Sequence, residues 1–259
     1  MCNIGGGMSG STEMIIPETL GTEMEALVQR YAKAGGLGVQ LLNAIGSQAA
    51  DLLDKLPDTV RSRLNVATEK ALEASFAAAE RSRGRYFPDA PDWVTQVTAT
   101  GLGALGGTGG LPTALAELPV TTTLLLRAIQ SSAVSHGFDP KDDEIRKACL
   151  LVFTAAGPLE HDDGANSAFF AARTALTGAT VQSVLKTVAP RLATILGQKL
   201  AAQTVPVLGA AAGAATNYTY SSYYKDMATV HFGLKRLALR HSLEEYRVTE
   251  AFKHLSSQV

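Results

Sequence analysis

Residues 101–107 read Gly-Leu-Gly-Ala-Leu-Gly-Gly, and how those glycines are understood decides the fold. Gly101, Gly103 and Gly106 stand on the G-x-G-x-x-G spacing with which a strand, turn and helix cradle a dinucleotide pyrophosphate. The preceding WVTQVTAT, residues 93–100, is rich in β-branched residues and passes for the strand. The sequel does not fit. Further glycines follow at 107, 109 and 110. Pro112 then falls in what should be the phosphate-binding helix, where it costs about 3 kcal/mol. Glu117 comes too early and Asp139 too late to hold a ribose, and no alternation of strand and helix continues. A second spacing fits better. Gly103 and Gly107, Gly106 and Gly110, and Gly209 and Gly213 are pairs four residues apart. On a helix such pairs share a face and let another backbone come close. These six glycines are therefore read as helix-packing devices, and the fold as all-α.

Composition agrees with that reading. Of the 259 residues 18% are charged and 46% apolar, yet only 6% are aromatic, which suits closely packed Ala- and Leu-rich helices. A net charge of −1 and a pI near 6.5 argue against a nucleic-acid partner. Two cysteines, Cys2 and Cys149, make no disulfide framework, and Cys149 reads as a small buried residue on a helix. Residues 1–17 read as a flexible tail without the charged and apolar regions of a secretory signal. Once Met1 is removed, Cys2 is open to two speculative roles, an amidotransferase nucleophile or a lipid anchor. Residues 18–259 read as one helical domain, placed in the cytoplasm or peripherally on the inner face of the membrane.

Along the chain, Glu18 to Lys55 carries apolar residues at three and four spacing, interrupted by Gly35, Gly36 and Gly38. Asp58 is placed to cap a helix that Gly84 ends. Another helix is expected after Asp139, with Pro140 at its first position and Asp142, Asp143 and Glu144 in its first turn. Its buried stripe is Ile145, Ala148/Cys149, Leu151/Val152 and Ala155. Asn166 or Ser167 is offered as a later cap, and Pro190 and Pro206 as kinks or starts. Positions 93–116 and 200–224 carry no charge at all. Each is long enough for the roughly 20 residues a bilayer needs. Both are rich in Gly, Ala, Thr and Ser, and the mean hydropathy of the chain is only +0.08. They are read as two central helices of a single multi-helix domain rather than as membrane spans.

The quoted stretch belongs to a longer block, GLGALGGTGGLPTALAELPVTTTLLLRAIQSSAVSHGFDP, which resembles the central block of the EcsC family. The resemblance rests on Gly110–Leu111, Glu117–Leu118–Pro119, Arg127 and the Gly137–Phe138–Asp139 turn. The block VPVLGAAAGAATNYTYSSYYKDMATVHFGLKRL is similar too, through Pro206, Gly209, Gly213, Asn217, Ala228, Phe232 and Arg236. It covers about residues 60–245. Where the family usually has Asp, this chain has Glu117. The family is named for a protein encoded beside the components of an ABC transporter, and its activity is not established. The resemblance thus implies a fold and an association with ABC transport, not a mechanism.

Few residues invite chemistry. Glu117 and Arg127 sit among apolar neighbours, where charges need a partner. They read as a buried ion pair or as the polar end of an apolar cleft that grips a carboxylate or phosphate. Asn217 interrupts the second uncharged segment, and Arg236 joins these three as a ligand-binding candidate. His231 and Glu117 are weak candidates for a general base, with no identifiable catalytic partner. The Glu160–Asp163 run has metal-ligand residue types but reads as a solvated loop, so no metal and no cofactor is implied. The segment His231–His254 is read as one amphipathic helix, suited to dock on its own bundle or on an anionic membrane. The expectation is a non-enzymatic, membrane-peripheral or lipid-interacting accessory protein. The alternative is a helical protein that binds, or hydrolyses, an apolar or amphipathic small molecule between its central helices. Partner proteins fit either reading.

Overall fold

A computed structural model describes residues 18–45, 54, 56–82, 110–155, 157–159, 178–203 and 209–258. Among them every regular element is helical: α1 (Glu18–Ile45), α2 (Asp58–Ser82), α3 (Gly110–Ser135), α4 (Asp143–Leu151), α5 (Val181–Gln203), α6 (Gly209–Arg240) and α7 (Glu245–Ser256), with a 3-10 turn at Val152–Thr154. The all-α reading holds. The fold is built around α6, whose buried residues from Thr216 to Ala238 fall on every side of the helix. A helix covered all round belongs to the centre of a domain.

Helix α1 runs antiparallel to α6. Arg30 pairs with Asp226 at 3.1 Å, Leu27 lies over Gly233, and Arg240 donates to Glu23. The α6 positions in this seam are seven apart, the spacing of helices crossing at a shallow angle. Helix α3 runs parallel to α6 on another side, with Ser132 and Thr229 hydroxyls 3.4 Å apart and the Phe138 and Phe232 rings 5.7 Å apart. Helix α5 meets α6 through Tyr220, whose hydroxyl donates to the Ile195 carbonyl at 3.2 Å. Helix α2 rests on α3 and α5, with Ser75 donating to the Pro119 carbonyl and Gln182 to Glu73. Helix α7 folds back over the seam, its Phe252 edge-on to Tyr31 at 5.5 Å.

Several boundaries differ from expectation, each for a local reason. Helix α1 continues through Gly35, Gly36 and Gly38 to Ile45 instead of being interrupted. Asp58 is the first residue of α2 rather than its cap. The Pro57 carbonyl accepts from Val60 and Arg61, while the Asp58 carboxylate binds the Arg61 guanidinium at 2.7 Å. Helix α4 starts at Asp143, not at Pro140. Asp139 first closes a turn of its own, its carboxylate taking the Lys141 N–H at 2.9 Å and its carbonyl the Asp142 N–H. The α4 stripe is buried as predicted, Cys149 included. Pro190 lies inside α5. The uncharged segment 200–224 is shared between the end of α5 and the start of α6 rather than forming one helix. Of the other uncharged segment only 110–116 is described, as the start of α3. The tail 1–17, Gly84, residues 160–167 and Pro206 lie outside the described residues.

Candidate functional site

The sequence candidates lie on two neighbouring helices, α3 and α6. Glu117 and Arg127 stand on α3, ten residues or about 15 Å apart along the axis. Asn217, His231 and Arg236 are strung along α6, the first two about 21 Å apart. The Glu117 side chain is outside the described set; Arg127 is half-buried and engaged within the fold. Asn217 and His231 are buried, and the His231 ring stands edge-on to Phe232 at 5.0 Å. Gly103, Gly106 and Gly107 fall outside the described residues. Gly110 and Gly209 open α3 and α6, and Gly213 lies one turn further on.

The interior that these helices enclose is unusually polar. Besides Asn217 and His231, α6 buries Thr216, Thr219, Tyr220, Ser221, Tyr223 and Tyr224. Tyrosines suit such a place because each ring fills volume while its hydroxyl reaches a partner. Tyr220 reaches α5, and the Tyr223 hydroxyl accepts the Gly157 N–H at 3.2 Å. Tyr224 stacks edge-on against Phe153 at 5.2 Å and Tyr223 at 5.4 Å. Helix α5 buries Lys199, which is 0% exposed and among the largest fully buried side chains. Sequence reasoning treated Lys199 only as the border of an uncharged segment. Its spacing was the clue, four residues beyond Ile195 and seven beyond Leu192, on the same buried stripe.

A second arrangement stands at one end of the bundle, where α3 closes beside Phe232 and Arg236 of α6 and both helices end in the same way. In α3 the N–H of Gly137 returns to Val134 and that of Phe138 to Ala133; in α6 the N–H of Ser242 returns to Leu239 and that of Leu243 to Ala238. Both are Schellman closures, with Gly137 at φ 83° and Ser242 at φ 52° in the left-handed position. Phe138 and Leu243 tuck their side chains against the core. The second closure divides the predicted helix 231–254 into α6 and α7. It was missed because a serine holds the position that glycine usually marks. Each of the two helices ends in a negative dipole, and cations suit it. Arg236, a ligand candidate in the sequence, sets its guanidinium 3.7 Å from where a Gly137 Cβ would stand. Arg240 occupies the last turn of α6.

Around this end Val134, Leu239 and Tyr246 stand in solvent, Leu239 at 59% and Tyr246 at 51% exposure. Arg236, Arg240 and Arg247 lie among them in the sequence, all exposed; Arg247 donates to the Tyr246 hydroxyl at 3.1 Å. The acids are Glu244 and Glu245, the latter bound by Lys235, and Glu23, bound by Arg240. At the opposite side of the α1–α6 seam, burial pushes the Asp226 carboxyl above its usual pKa against the opposing pull of Arg30, Lys225 and Lys33. Among the described residues no group of three or more His, Cys, Asp or Glu could hold a metal ion.

The model of the EcsC protein family matches residues 94–237, more than half of the chain. The match takes in α3, α4, α5 and nearly all of α6, so it spans both the polar interior and the Gly137 closure. No curated protein and no solved structure matches. By this match the chain belongs to the EcsC protein family.

Proposed function

We propose that this protein is a non-enzymatic, membrane-peripheral accessory protein that contacts lipid through the end of the bundle where α3 and α6 close. The observation that carries the reading is the exposure of Leu239 and Tyr246, from the last turn of α6 to the first of α7, beside the exposed Arg236, Arg240 and Arg247 in the sequence. Apolar and amphipathic side chains beside guanidinium groups match the chemistry of a bilayer interface, where rings and aliphatic chains sink among acyl tails and cations meet phosphate. Among the described residues no helix is long and apolar enough to cross a membrane, which fits contact at the surface. The association with ABC transport that the family name carries makes a transporter's membrane face the natural setting.

Liposome flotation tests this directly. The wild type is expected to float with anionic vesicles at low salt, less with neutral ones, and to keep part of its binding at high salt. The double variant Leu239→Ser/Tyr246→Ser should lose most of that salt-resistant part while keeping its melting temperature, because both side chains are already in water. A wild type that stays at the bottom of the gradient under every condition would sink the reading.

A further inference from the structure

We infer that the outward side of α3 is a further lipid-contacting surface, along which the protein lies on an anionic bilayer; the inference rests on the membrane-peripheral reading and extends it. Val120, Leu124, Arg127, Ser131 and Val134 recur at three- and four-residue intervals, on the side of α3 away from the buried Leu118, Leu125 and Ile129. Val120 is 46% and Val134 47% exposed, and they stand about 21 Å apart along the axis. One exposed valine is ordinary, but two that end a single aligned stripe make a surface. From Leu118 to Phe138 there is no Asp or Glu, and the one charge is Arg127, a cation engaged within the fold. The outward sides of α1, α2 and α7 differ, exposing Glu25 with Lys33, Arg63 with Glu73, and Arg247 with Glu250. Two hydroxyls of the stripe are turned onto their own helix. Thr123 donates to the Pro119 carbonyl at 2.7 Å and Ser135 to the Ser132 carbonyl at 2.8 Å. Such groups keep their hydrogen bonds when acyl chains replace water. A side without carboxylates also meets no repulsion from an anionic leaflet. A partner helix would be held in register by acid–base pairs along the stripe, and this one offers no acid. Val134 lies three residues before the Gly137 closure, so the stripe starts at the closed end of the bundle and runs along α3.

The test uses the full chain with Cys2→Ser and one added cysteine, Val120→Cys, Val134→Cys or, as a control on α2, Val66→Cys, where the valine is 56% exposed. Each carries an environment-sensitive nitrobenzoxadiazole dye, which the buried Cys149 does not take up. With vesicles of equal parts phosphatidylcholine and phosphatidylglycerol, the dyes at 120 and 134 should brighten severalfold and be quenched by lipid-borne spin labels. The dye at 66 should stay as it is in buffer. Val120→Asp/Val134→Asp should weaken vesicle partitioning about tenfold or more, at an unchanged melting temperature because both valines already face water. If the protein floats while the α3 dyes remain in water, or if the double variant partitions like wild type, the inference fails and lipid contact at the α6–α7 end stands. If the protein does not float at all, the reading beneath it fails and takes the inference with it. Brightening that grows with protein concentration in the absence of vesicles assigns the stripe to a second copy of the chain and overturns the inference too.

Discussion

Ser242 holds φ 52°, the one side-chain-bearing residue among those described with a positive φ. Its Cβ crowds the following carbonyl at a cost of about 1 kcal/mol, which glycine does not pay. Ser242→Gly should therefore stabilise the protein by about that amount, read as a shift of the denaturant midpoint with unchanged slope. A loss of stability would mean that the α6 closure is not held as described. Asp226 is the second residue with a consequence of its own. Burial raises its folded pKa above the ordinary aspartate value of 3.8 despite Arg30. In the pH range just above 3.8 the folded state therefore binds more protons than the unfolded chain, and stability contributed here rises as pH falls through the folded pKa. Asp226→Asn should flatten that acidic rise and leave the neutral protein no less stable. An unchanged pH profile would count against the burial effect.

At the scale of elements, the α1–α6 seam depends on one close approach. A Cβ at Gly233 would stand 2.7 Å from Leu27 Cδ2 and 3.0 Å from Cδ1. Those atoms are the tip of a flexible, half-buried side chain, so alanine needs only a rotation of Leu27. Valine fills the space that the rotation would use, and Gly233→Val should cost about 1–3 kcal/mol as α1 is pushed off. Faster trypsin cleavage at Arg30 and Lys33 would report that displacement, and cleavage at the wild-type rate would refute it. Glycine-mediated helix packing was legible in the sequence as a principle. A position that displays it is Gly233, which has no partner glycine four residues away and so leaves no such spacing in the sequence. Helix α4 was legible because its stripe repeats at three and four. The α6–α7 break was not, because neither Gly nor Pro marks it.

At the scale of the molecule, composition and the absence of any continued strand pattern were enough for the all-α class. The candidate site was only half legible. Asn217 and His231 are interior, as awkward polar residues on an apolar helix should be, but they stand two or more turns apart. What joins the interior is reach across helices, a tyrosine hydroxyl to a carbonyl 25 residues earlier or to an N–H 66 residues earlier. Such pairs leave no periodic trace along the chain. Lys199 is not legible as interior in the sequence, because a lysine is ordinarily found where an interior ends.

The seam between α1 and α6 also has a bearing on how the protein is born. The ion pairs Arg30–Asp226 and Arg240–Glu23 join residues 196 and 217 positions apart, so neither can form until α6 has been synthesised. Until α6 leaves the ribosome, α1, α2, α3 and α5 are amphipathic helices whose common centre does not yet exist. The apolar surfaces they turn toward α6 remain uncovered until then, the state in which a nascent chain depends on chaperones. Placing the central helix after the helices that it organises makes its synthesis the event that permits assembly.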